Sequence, residues 1–377
     1  MNIKNTTNIF VDCHVFDSGF QGTRTYIQGL YTALMQYEDL HFFLGSNNPK
    51  SLQTIFGNHP NVTYVQYQFQ NKYLRLLIDI PNIIKKNKID FAHFQYTVSP
   101  IKRCKYIVTT HDVLFIDFPK YFSFFSRFIN TILYQQSAKW ADIRLTVSEY
   151  SRQKLKQHFG LSDYVVTPNA VDGAFFETYT KEQVKVRVAN EFSLNDYIIY
   201  VSRWEPRKNH QMVLKAFVEL ELYKKHQLLF LGNESIFNPE YQEIFDGLTP
   251  EIKNKITTIN NTDFQTMLLL LRGANASVYP SFAEGFGIPP LESVAAKIPT
   301  ICSDKTAMSD FIFFREFYFD PSKQKEFNQK LLYILENNTT TEFEKMAHSI
   351  KEIYNWEHTA TVVYELLKQH TNQSRFY

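Results

Sequence analysis

Two α/β domains, each built on a doubly wound parallel sheet, are the fold this sequence predicts. Three observations carry that reading: a length of 377 residues, an alternation of short apolar runs with helix-period segments, and a restart of that alternation near mid-chain. A chain of this length exceeds one ordinary core, so two domains of roughly 180 residues each follow. Hydrophobic residues at 44% and charged residues at 21% exclude a disordered chain.

In the first half the predicted strands are Asn8–Cys13, His41–Gly45, Val62–Gln66, Phe91–Phe94, Tyr106–Thr110, Ile143–Val147 and Tyr164–Thr167. All are rich in β-branched and aromatic residues, as strands covered on both faces require. The second half restarts with Tyr197–Val201, Gln227–Leu231, Ile256–Ile259, Ala276–Tyr279, Thr300–Cys302 and a last strand near Glu316–Phe319. Thr180–Asn195 is polar and charged and reads as the connection, giving domains at 1–180 and 181–359. The amphipathic segment Trp356–His370 opens a C-terminal helix, about 360–377, expected to return to the first domain.

Net charge is +2 but unevenly placed. Residues 1–180 carry 18 Lys and Arg against 13 Asp and Glu, while 181–377 carry 22 against 25. A basic first half suits an anionic membrane surface or a phosphate-bearing partner, or serves solubility alone. The three cysteines, Cys13, Cys104 and Cys302, lack metal or redox spacing and fit a reducing compartment. No apolar run reaches the roughly 18 residues of a membrane span, and the start MNIKNTTNIFVDCHVF lacks a signal-peptide layout. A cytoplasmic protein without nucleic-acid partners is expected.

Open α/β sheets bind ligands at the carboxyl ends of their strands, so the loops there are where chemistry is sought. The strongest stretch is Ser281-Phe-Ala-Glu-Gly-Phe-Gly-Ile-Pro-Pro-Leu-Glu292. Gly285 and Gly287 leave backbone amides unshielded beside a helix opened by Pro289 and Pro290, a setting that favours an anion such as a diphosphate. Glu284 before that helix and Glu292 in its expected first turn can accept hydrogen bonds from sugar hydroxyls. In Val201-Ser-Arg-Trp-Glu-Pro-Arg-Lys-Asn209, Arg203 and Lys208 are placed to neutralise phosphoryl groups without a metal. Asn209 is expected to cap the next helix, and Arg207 and Glu205 to be solvated or mutually paired.

Thr109-Thr-His-Asp112 puts His111 at a strand end, able to serve a sugar hydroxyl or a phosphate oxygen. Asp17-Ser-Gly-Phe-Gln-Gly-Thr-Arg24 places Gly19 and Gly22 before a helix, where a ligand or the other domain can approach closely, or a plain turn suffices. It lacks the G-x-G-x-x-G spacing of a dinucleotide site. Phe115 to Tyr134, containing FPKYFSFFSRFINTILY, forms either an amphipathic surface or an aromatic core helix. With Lys85, Lys86, Lys88, Lys102, Arg103 and Lys105 nearby in sequence, the first alternative implies peripheral membrane contact.

These loops resemble glycosyltransferase family four, the retaining enzymes of GT-B architecture, and in particular members that build bacterial surface polysaccharides. The resemblance rests on the E-x7-E pair Glu284 and Glu292 within EGFGIPPLE and on the R-x4-K pair Arg203 and Lys208. It implies two facing Rossmann-like domains with an interdomain crevice, and a metal-independent hexosyltransferase that needs no cofactor. Arg203 and Lys208 would hold the diphosphate of a nucleotide-sugar donor, and Glu284 with the amides of Gly285, Phe286, Gly287 and Ile288 the sugar. Glu292 would bind the ribose, His111 would look toward the donor sugar, and Gly22 would approach the phosphates.

The donor implied is GDP- or UDP-linked and mannose-like, and the acceptor a glycan or lipid-linked glycan. Asn169-Ala-Val-Asp172 resembles the family's hinge segment. Ala170, Ala296-Lys297 and Met308-Ser309-Asp310 depart from the family pattern. A nucleotide-sugar epimerase of the same architecture and an inactive sugar-nucleotide binder are the competing classes.

Overall fold

Every apolar run marked as a strand forms one, with ends within two residues of those expected. The computed structural model describes residues 6–17, 22–233, 236–337 and 339–373. The chain divides into two compact units, residues 1–170 with 354–377, and residues 171–353.

The first unit holds β1 (Thr7–Asp12), β2 (Leu40–Ser46), β3 (Val62–Gln66), β4 (Phe91–Gln95), β5 (Lys105–Thr109), β6 (Ile143–Thr146) and β7 (Tyr164–Val166). They pair in the order β3-β2-β1-β4-β5-β6-β7, and each pairing is parallel. Among its helices are α1 (Gly22–Leu34), α2 (Ile80–Lys86) and α3 (Phe124–Trp140). Phe10, Phe94, Tyr106 and Val108 from the strands pack with Ile80 and Ile84 of α2 and with Ala141 just beyond α3. Helices α2 and α3 therefore lie over one face of this sheet.

The second unit holds β8 (Tyr197–Val201), β9 (Gln227–Leu231), β10 (Ile256–Ile259), β11 (Ala276–Tyr279), β12 (Thr300–Ser303) and β13 (Tyr318–Phe319). Their order is β10-β9-β8-β11-β12-β13, again all parallel. Helices α4 (Lys181–Phe192), α5 (His210–Glu219), α6 (Phe264–Gly273) and α7 (Ile288–Ala295) belong to it. Strand order reverses between β8 and β11, so the loops after these two strands diverge and leave a crevice at their carboxyl ends.

The segment read as a connector is helix α4, packed on α6 in the second unit. Its buried contact is narrow: Val188 is fully buried, and the Lys181 ammonium reaches back 2.5 Å to the Ala274 carbonyl. Burial, aided by the neighbouring charge of Lys185, lowers the Lys181 pKa to about 7.

The C-terminal helix α8 (Trp356–Gln373) falls in the first unit and lies along α1. A glycine is needed at position 29 because the Trp356 ring lies against it. A Cβ there would meet a ring carbon at 2.0 Å. All three cysteines are free thiols.

Candidate active site

The loops leaving β8 and β11 are tied together before any ligand is considered. Tyr200 on β8 donates its hydroxyl hydrogen to the Lys208 carbonyl at 2.7 Å, and the Phe282 amide donates to the Arg207 carbonyl at 2.8 Å. Trp204 stacks on His210 at 4.2 Å, and its amide bonds the Asn233 carbonyl, clamping the loop's outer turn. Asn209 does not cap α5. It sits at φ 61° without a side-chain capping bond, and its side-chain Nδ2 instead donates to the Pro321 carbonyl at 3.0 Å. Asparagine tolerates this left-handed conformation better than most residues.

This scaffold carries a chain of alternating charges. Arg203 pairs with Glu205 at 2.8 Å, Arg207 with Glu205 at 2.7 Å and with Glu284 at 3.1 Å, and Lys208 with Glu284 at 2.5 Å. Arg203 is 49% exposed, whereas the other four are only 12–13% exposed. Arg203 is therefore the outer cation, and Arg207 and Lys208 are the inner two. Three cations against two carboxylates leave one positive charge at the mouth of the crevice.

Arg207 corrects the expectation of a solvated surface group. It is paired with Glu205 as anticipated, but it also donates to the Ala283 carbonyl at 2.6 Å and bridges the two loops. Sequence alone does not show this, because one residue's offset in the tight turn Pro206–Lys208 decides whether a side chain faces in or out.

Glu284, expected to meet a sugar, is first the counter-ion of Lys208 and Arg207. Burial alone would raise its carboxyl, but those two cations override it and hold it at about 2. Each carboxylate oxygen keeps a further lone pair for a hydroxyl donor. Its amide is fixed by the Thr306 hydroxyl at 2.9 Å.

Gly287 stands at φ 94° directly before α7, and a Cβ there would lie 2.7 Å from Met308 Cγ. Both the dihedral and the packing demand glycine. Pro289 and Pro290 remove two of the donors a helix start normally offers. The N–H groups of Gly287 and Ile288 have no acceptor among the described residues. Gly285 and Phe286 precede them in the same turn, and Phe286 packs edge-on against Phe311 at 5.5 Å. Lys208, Glu284, Ser202, Ser281 and Gly287 line one small recess.

Glu292 lies beyond the first turn of α7, which has no acidic residue. The helix begins at Ile288, one residue before the prolines expected to open it, which moves Glu292 into the second turn. Its carboxyl has no hydrogen-bond partner among the described residues. Burial and the nearby Asp172 raise its pKa to about 8, so at neutral pH it is protonated and able both to donate and to accept. It does not line the recess around Lys208.

His111 belongs to the first unit, two residues past β5, and is buried. Its Nε2 lies 2.6 Å from Gln95 Oε1, and a carbonyl oxygen accepts, so Nε2 carries the hydrogen. The Gln95 amide nitrogen then faces His93 Nε2 at 3.3 Å, and His93 Nδ1 meets the Tyr31 hydroxyl at 2.7 Å. This relay fixes the His111 ring and leaves Nδ1 as a lone-pair acceptor. Burial lowers its pKa to about 3, keeping it neutral at physiological pH. Gly22 opens α1, and no described atom lies within 4 Å of where its Cβ would be. Gly19 of the same loop lies outside the described residues.

No group of three or more His, Cys, Asp and Glu side chains among the described residues is arranged to hold a metal ion. The family description "Glycosyl transferases group 1" fits residues 182–356, and "Glycosyltransferase Family 4" fits residues 20–175. The chain belongs to glycosyltransferase family 4.

O-antigen chain mannosyltransferase B of Escherichia coli is 24% identical over 262 residues, 68% of this chain and 68% of that protein. O-antigen chain mannosyltransferase RfbU of Salmonella typhimurium is 25% identical over 225 residues, 59% of each. The match thus spans less than two thirds of the second relative. Sucrose-phosphate synthase from Thermosynechococcus elongatus superposes with a TM-score of 0.77 at 15% identity, covering 98% of this chain and 100% of that one. The fold is GT-B, with two Rossmann-like domains.

Departures from the family 4 pattern are absorbed locally. Lys297 replaces a common glycine and adopts φ 61°, keeping the glycine's conformation at some steric cost. Met308 is buried beneath Gly287, and the Tyr318 hydroxyl donates to the Met308 and Phe311 carbonyls at 2.5 and 2.7 Å. Ala170 is buried at the end of the first unit's main segment.

Proposed function

We propose that this glycosyltransferase is a retaining, metal-independent hexosyltransferase. It moves a mannose-like hexose from a GDP- or UDP-linked donor to a hydroxyl of a glycan or lipid-linked glycan during surface-polysaccharide assembly. The observation that carries the reading is the Lys208–Glu284–Arg207–Glu205–Arg203 array at the β8/β11 switch point, beside the Gly287 and Ile288 amides. The mannosyltransferase names of its relatives support the hexose.

In this mechanism an acceptor hydroxyl attacks the anomeric carbon as the bond to the diphosphate oxygen breaks. Negative charge grows on the leaving diphosphate, and stabilising it there is the main catalytic burden. Lys208, Arg203 and the main-chain amides meet that charge. The acceptor's proton passes to a donor phosphate oxygen on the same face, so the anomeric configuration is kept. Glu284 positions Lys208 and accepts from a sugar hydroxyl, protonated Glu292 serves the ribose, and His111 serves a substrate hydroxyl through Nδ1.

The test is turnover by the full chain on a panel of nucleotide sugars with excess chelator present, with product configuration read by NMR. Nucleoside diphosphate release with an α-glycoside product from an α-linked donor is expected. A requirement for added divalent cation or an inverted product overturns the respective part. Donor isomerisation without any acceptor establishes an epimerase instead.

A further inference from the structure

Helix α3 is amphipathic in the wrong sense for a free surface helix. At 100° per residue, Phe125, Phe128, Ile129, Ile132, Gln136, Lys139 and Trp140 fall on one arc of about 120°, and that arc faces outward, Ile129 alone being half-buried. Phe124 is 79% exposed, Phe125 73%, Phe128 59%, and Ile132 and Trp140 more than 40%.

The inward side is the more polar one. The Arg127 Nε donates to the Phe115 carbonyl at 3.0 Å, Ser137 accepts from the Val98 amide, and Tyr134 stacks on Tyr96 at 4.7 Å. Of the two readings the sequence left open, the apolar surface is the one the structure adopts. Single exposed apolar residues are ordinary, but several large apolar side chains exposed along one helix mark an interaction site.

Charge around the stripe selects its occupant. From Glu38 to Glu149 the sequence has no intervening glutamate, and it carries 13 Lys and Arg against 6 Asp. Near α3, Asp117 is taken by Lys154 and His158 at 3.3 and 2.8 Å, and Asp142 by Lys102 at 2.8 Å. Lys139 lies on the stripe itself. The Lys102 ammonium bonds the Trp140 carbonyl at 2.8 Å, which sets exposed Arg103 at the helix's C-terminal end, and Lys85 and Lys86 end α2 on the same sheet face. A second copy of the chain would bring the same positive surplus against this one.

We propose that the outward stripe of α3 docks on an anionic lipid bilayer, lying in the interface with its aromatic side chains inserted and its lysines among the headgroups. No described helix is long and apolar enough to cross a membrane, so the contact is peripheral. It stands on the first unit alone and is independent of the transfer reading.

The test is flotation of the full chain with phosphatidylcholine vesicles, with and without 30% phosphatidylglycerol added as an approximate anionic fraction. Wild type is expected to float with the anionic vesicles, less so at high salt. The triple variant Phe125→Ser, Phe128→Ser, Ile132→Ser should bind at least ~10-fold more weakly with an unchanged melting temperature, since these side chains are exposed. Failure of wild type to bind anionic vesicles, or undiminished binding by the triple variant, overturns the proposal. So does a lipid-free wild-type dimer that the triple variant converts to monomer in light scattering, because the stripe is then a protein interface.

Discussion

Replacing Lys208 with alanine is expected to cut turnover by about 10²- to 10³-fold, the scale for losing one preorganised donor at a transition-state anion, while the chain still folds. Lys208 is one of the two inner cations of the array and the one that lines the recess, and its backbone is held independently through the Tyr200 hydroxyl and its own carbonyl. Removing the side chain leaves Glu284 paired with Arg207 at 3.1 Å, so no carboxylate is stranded. Stability should fall by no more than about 1–3 kcal/mol, the worth of a charged hydrogen bond. Steady-state kinetics beside a thermal melt separate the two effects. An Arg203→Ala variant, which removes the exposed outer cation, should lose less.

Glu284→Gln is expected to be the more damaging change for stability. It leaves Arg203, Arg207 and Lys208 facing Glu205 alone in a site where four of the five groups are mostly buried. Breaking such a pair by removing one partner costs about 3–5 kcal/mol. The sign of its pH dependence follows from the folded carboxyl lying at about 2 against its ordinary 4.5. Its stabilising contribution is present above pH 4.5 and is lost as pH falls through 2. The melting-temperature gap between wild type and Glu284→Gln should therefore be widest near pH 7 and narrow on acidification. A gap that widens toward acid pH means the carboxylate is not held by these cations. Turnover should fall as well, because Lys208 loses the group that aims it.

Both expectations turn on contacts that sequence patterning reaches only in part. Parallel strands were legible because a strand covered on both faces must be apolar almost throughout, and 279–292 was legible because clustered glycines before a double proline constrain the backbone strongly. Helix α4 was hidden because it buries one valine and the stem of one lysine, too narrow a stripe to show a period. The bridging role of Arg207 was hidden because it depends on how a three-residue turn, Pro206–Lys208, rotates its side chains. Glu292 was placed in the first turn because the double proline marks a helix start only to within a residue, and the helix begins at Ile288, just before it. For α3 the composition was plain, but which face points outward is decided by packing against Tyr96 and Phe115, contacts that the pattern within the helix does not reveal.

The donor-binding role of the array is tested most directly by calorimetric titration of the intact chain, in chelator, with a nucleoside diphosphate and its monophosphate. The diphosphate should bind wild type at least ~10-fold more tightly, about one charge-assisted contact, and Lys208→Ala should abolish that preference. Equal affinities in wild type, or an undiminished preference in Lys208→Ala, would contradict it.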